Sequence, residues 1–73
     1  MTLQYVVVLE DGEDGWVVAR VPSLPGVVTQ GRTREEALTN AREAIEVTIE
    51  DMRARGEDLP AADLGAEMIE IMA

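Results

Sequence analysis

The sequence contains no cysteine, no histidine and no lysine. Without cysteine, neither a disulfide nor a thiolate metal site can form. With histidine also missing, the commonest general base and the strongest side-chain nucleophile are both absent. Aromatic residues are scarce as well: there is no Phe, and Tyr5 and Trp16 stand alone. The core must be built from Val, Leu, Ile, Met and Ala, which suits a thin two-layer domain. No apolar run approaches the roughly 20 residues of a membrane span. The amino terminus lacks a basic segment followed by an apolar stretch and a small-residue cleavage site, so no export signal is expected. The cytoplasm is the expected compartment.

Positive charge is in short supply. Six arginines face fifteen Asp and Glu, for a net charge of −9. Nucleic-acid binding is mostly neutralisation of phosphate by clustered cations, and this chain repels phosphate. Anionic membrane surfaces are disfavoured for the same reason. The acidity either keeps the domain soluble or draws in a basic protein partner, whose encounter the same field would accelerate. With 73 residues there is room for one domain, spanning 1–73, and one core. A chain of this size buries only about 60% of the surface exposed when unfolded, so its stability is expected to be marginal or borrowed from an oligomer.

What is present has clear periodicity. Leu3 to Glu10 is a β-branched run without Gly or Pro and predicts a strand, with Leu3, Tyr5, Val7 and Leu9 on one face and Val6 and Val8 on the other. Asp11 to Gly15, DGEDG, is turn chemistry, and Trp16 to Val21 predicts the returning strand of a hairpin. Pro22 to Gly26, PSLPG, cannot sit in a ladder and predicts a shaped turn. Val27 to Gln30 predicts a brief third strand, ended by Gly31.

The helix signal follows. Thr33 and Glu36 form a T-x-x-E capping box, Glu35 and Glu36 suit the first turn, Arg53 and Arg55 suit the last, and Gly56 is the left-handed stop. Leu38, Ala41, Ile45, Ile49 and Met52 share one direction, flanked by Ala37, Ala44 and Thr48. The helix spans roughly 22 residues, or about 33 Å. Glu57 to Gly65 is a polar loop, and Glu67 to Ala73 alternates as a final strand. The expected fold is α+β, in two layers: a three-stranded antiparallel meander, one long helix on one face, and a last strand, in the order β-β-β-α-β. One helix covers one face of a sheet. The opposite face, with Val6 and Val8, needs another cover.

Candidate chemistry is sparse. Ser23 has no neighbouring base, lies between two prolines and is read as shaping its turn. Asp11, Glu13 and Asp14 could offer oxygens to a hard cation, but their spacing matches no EF-hand loop and an Asp- and Gly-rich hairpin tip is usually only a turn. No metal, cofactor or catalytic residue is therefore assigned. Glu43, Glu46 and Glu50 read as a solvated helix face, relieved by Arg42–Glu46 and Glu50–Arg53 pairs, with Asp51–Arg55 a further pair. Three residues are candidates for contact with a partner or another copy. Val47 lies opposite the apolar stripe among Asn40, Glu43 and Asp51, and is either an ordinary exposed valine or a contact. Met68 and Met72 either complete the core or form an interface on the uncovered side of the sheet.

Taken together, Trp16 to Pro60 resembles the HicB-like antitoxin family. The shared pattern is an aromatic strand, P-x-L-P-G, a short strand ending in Q-G-x-T, E-E-A, and a long helix closing before G-x-x-L-P. Those positions are Pro22, Leu24, Pro25, Gly26, Gln30, Gly31, Thr33, Glu35, Glu36, Ala37, Gly56, Leu59 and Pro60. The resemblance implies a partial ribonuclease H-like fold and a binding role, in which a homo-oligomer (dimer or tetramer) neutralises a small basic HicA-type toxin that cleaves messenger RNA. Many members also carry a DNA-binding segment. None is visible after the expected last strand, so direct nucleic-acid binding is not expected. Two alternatives stand beside this reading. A metal-dependent hydrolase acting on nucleic acid would need Glu10, Glu67 and Glu70 to converge, and their places on the predicted strands do not favour it. The other is a solitary structural dimerisation domain without a toxin.

Overall fold

In the computed structural model, residues 4–59 are described. Strand β1 is Val8–Asp11, β2 is Val17–Arg20 and β3 is Val28–Gly31. Helix α1, Arg34–Ala54, follows. The strands form an antiparallel sheet in sequential order, and α1 packs over β3 and β2 on one face. This is the expected α+β meander and helix. The expected last strand, Glu67 to Ala73, lies outside the described residues.

The register runs Val8 to Arg20 and Asp11 to Val17 across β1 and β2, and Val17 to Gly31 and Arg20 to Val28 across β2 and β3. The β1–β2 ladder is shorter than the expected Leu3 to Glu10 strand. Continuing the same register would place Val6 opposite Pro22, which has no N–H to give. Instead the chain turns through PSLPG, where Leu24 N donates to Val21 O, and Val21 and Val27 pair through Val21 N to Val27 O at 3.1 Å. That turn delivers Leu24 to the core at 2% exposure. At the other end, a single 3-10 turn, Glu13–Gly15, joins β1 to β2, with Asp14 in the left-handed region at φ 55°.

Beneath the helix the core consists of Tyr5, Val7, Ala19, Val21, Leu24, Val27, Ala37 and Ala41. The alternation expected for the first strand holds, since Tyr5, Val7 and Leu9 all face this layer. The most buried helix residues are Ala37 and Ala41, at 0% and 1% exposure, while Leu38, Ile45, Ile49 and Met52 are only partly buried. The contact stripe is therefore turned toward the small-residue flank of the one expected. Close approach explains it: a Cβ on Gly31 would lie 2.5 Å from Ala37 N. Gly31 is also a paired strand residue, where the sequence reading made it the residue that ends the strand.

The helix ends are capped as residue types dictate. Thr33 Oγ1 accepts from Glu36 N at 3.1 Å, and Glu36 Oε1 accepts from Arg32 N at 2.9 Å. The reciprocal bond of this box thus reaches one residue before the cap. At the far end Gly56 adopts φ 71°, with Gly56 N donating to Arg53 O and Glu57 N to Met52 O, the paired bonds of a Schellman stop. Arg55 is the C-cap and lies just past the last turn in which it was expected.

Candidate partner-binding surfaces

Two surfaces of opposite character flank the core. The first is the outer side of α1. Glu43, Glu46, Val47, Glu50 and Asp51 are all exposed there. Val47 is 65% exposed, and its neighbours one turn away are Glu43, Glu50 and Asp51. The helix positions it as periodicity expects, opposite Leu38 and roughly 80–120° around the axis from Ala37 and Ala41. Of the expected helix ion pairs, Asp51–Arg55 forms at 2.8 Å, and Arg55 also reaches Glu57 at 3.0 Å. Among the described residues the Arg42–Glu46 and Glu50–Arg53 pairs do not form. At exposed positions the entropy of fixing two long side chains offsets most of the Coulomb gain. Glu43, Glu46 and Glu50 therefore keep their negative charge without a bonded cation, and the outer helix is an acidic surface with one apolar residue set into it.

The second surface is the face of the sheet that α1 leaves open. Alternation and register put Val8, Arg20 and Val28 in one row, Glu10, Val18 and Gln30 in the next, and Trp16 beside Arg32 at the end. Val8 and Val28 are 39% and 50% exposed. Arg20 reaches diagonally across β1 and β2 to Glu10, with Nε donating to Oε1 at 3.0 Å. The Arg32 guanidinium stacks over the Trp16 ring, 3.9 Å from its centroid. Such a stack is worth about 0.5–1 kcal/mol at an exposed site and holds both side chains in place. Sequence reading identified Val6 and Val8 on this face but missed the Trp16–Arg32 pair. Its signal was the β3 alternation carried past Gly31, which places residue 32 beside residue 16.

The helix also reaches the edge of β3. Asn40 Nδ2 donates to Gln30 O at 2.8 Å, and Thr29 Oγ1 contacts Ala37 O at 3.5 Å. The helix thus bonds one outward carbonyl of this edge strand, Gln30 O. Gln30, Gly31, Thr33, Glu36 and Gly56, which recur in the sequence pattern, all have structural tasks here: accepting a cap, admitting the helix, starting it and stopping it.

No catalytic assembly is found among the described residues. Asp11, Glu13 and Asp14 are exposed at the β1–β2 connection, and no group of three or more acidic side chains there could hold a metal ion. Glu10 is engaged by Arg20, while Glu67 and Glu70 lie outside the described residues, as do Met68 and Met72. Ser23 sits half-buried in the PSLPG turn. A small cleft of about 260 Å³ is lined by Leu9, Glu10, Asp11, Val17 and Arg34, mixing both charges with apolar carbon. No described helix is long and apolar enough to cross a membrane.

Comparison with known proteins gives a consistent picture. Residues 5–71 match the model of a family described as HicB_like antitoxin of bacterial toxin-antitoxin system. A UPF0150 protein of Thermoplasma acidophilum is 45% identical over 58 residues, covering 80% of this chain and 84% of that one. Antitoxin HicB 1 of Photorhabdus laumondii is 38% identical over 58 residues, covering 80% of this chain but only 37% of the longer relative. Among solved structures, the N-terminal domain of Burkholderia pseudomallei antitoxin HicB superposes with a TM-score of 0.79 at 28% identity, covering 89% of this chain and 76% of that domain.

Proposed function

This chain belongs to the HicB-like antitoxin family of bacterial toxin-antitoxin systems, and from that premise we propose that it neutralises a small basic, mRNA-cleaving toxin of the HicA type by holding it in an inactive complex. The toxin docks on the outer side of α1, in the cytoplasm, and the antitoxin acts as a homo-oligomer without metal, cofactor or catalysis of its own. The observation that carries this reading is the acidic helix surface around Val47. Its carboxylates steer a cationic partner and orient it, which mainly accelerates encounter. Steering alone gives little affinity, because exposed ion pairs contribute about 0–1 kcal/mol each. Val47 adds the apolar contact that the charges lack. Burying a valine stabilises a complex by roughly 1.5 kcal/mol or more, about a tenfold change in Kd.

Two linked experiments test the reading. Each small basic protein encoded beside this chain is induced alone and then together with it, and growth and co-purification are followed. One of them is expected to arrest growth alone, to be rescued by the chain and to co-purify with it. The Val47→Glu variant is expected to bind that partner about tenfold more weakly while remaining helical. If no such neighbour is toxic and none binds, the antitoxin role fails for this chain. If binding is intact in Val47→Glu, the toxin sits elsewhere.

A further inference from the structure

We draw no further inference here: the strongest candidate, the face of the sheet away from α1 with exposed Val8 and Val28 and the Trp16–Arg32 stack, is a surface without a partner among the described residues, and nothing in the structure shows what covers it.

Discussion

Gly31 carries the closest approach between the two layers. A Cβ there would stand 2.5 Å from Ala37 N and 2.8 Å from Glu36 C, both helix backbone, so a larger residue must push α1 off the sheet. Gly31→Ala is expected to destabilise the domain by about 1–3 kcal/mol through overpacking, read as a lower urea midpoint with little change in slope. An unchanged midpoint would mean that the helix retreats without cost. This requirement was not legible in the sequence. A glycine after a short β-branched run reads as a stop, and only the position of Ala37 above it shows that the strand continues and the side chain is what must be missing. Trp16 and Arg32 were hidden for a related reason, because nothing local joins residues 16 apart until the β2–β3 register is known. Val47 was the opposite case. An apolar residue out of phase with the helical stripe is visible from periodicity alone, and at 65% exposure it is where that phase puts it.

Among the elements, the helix was the most legible because its ends are written in side-chain chemistry. Thr33 Oγ1 takes the Glu36 N–H, and Gly56 supplies the left-handed turn that closes the last carbonyls. Thr33→Ala is expected to cost about 1 kcal/mol by leaving one of the first-turn donors without its acceptor, measurable as a lower thermal or urea midpoint. An unaltered midpoint would show that Glu36 and solvent suffice. Which helix stripe faces the sheet was less legible. Hydropathy points to Leu38, Ile45 and Met52, but packing distance favours Ala37 and Ala41, since a helix settles closest where side chains are smallest. For the strands, alternation gave the faces correctly and the lengths too generously. Pro22 and the PSLPG turn end the ladder at Arg20, and pairing limits of that kind lie in the partner strand.

At the scale of the whole molecule, the fold sorts charge. A chain at −9 places much of its unpaired acid along the outer helix and leaves arginine, tryptophan and valine on the open face of the sheet. Composition alone showed the acidity but not its segregation, which depends on Arg20 and Arg32 falling on the same pleat. Both share the phase of Trp16 and Val18, and that phase is fixed only by the cross-strand register.

The most direct test of the account is a titration of this chain into an RNA-cleavage reaction run by the small basic protein that co-purifies with it, repeated as salt is raised. Cleavage is expected to fall to background near equimolar antitoxin, and the complex is expected to form more slowly as salt screens the helix carboxylates. Cleavage that persists undiminished under an excess of folded chain would contradict the central claim.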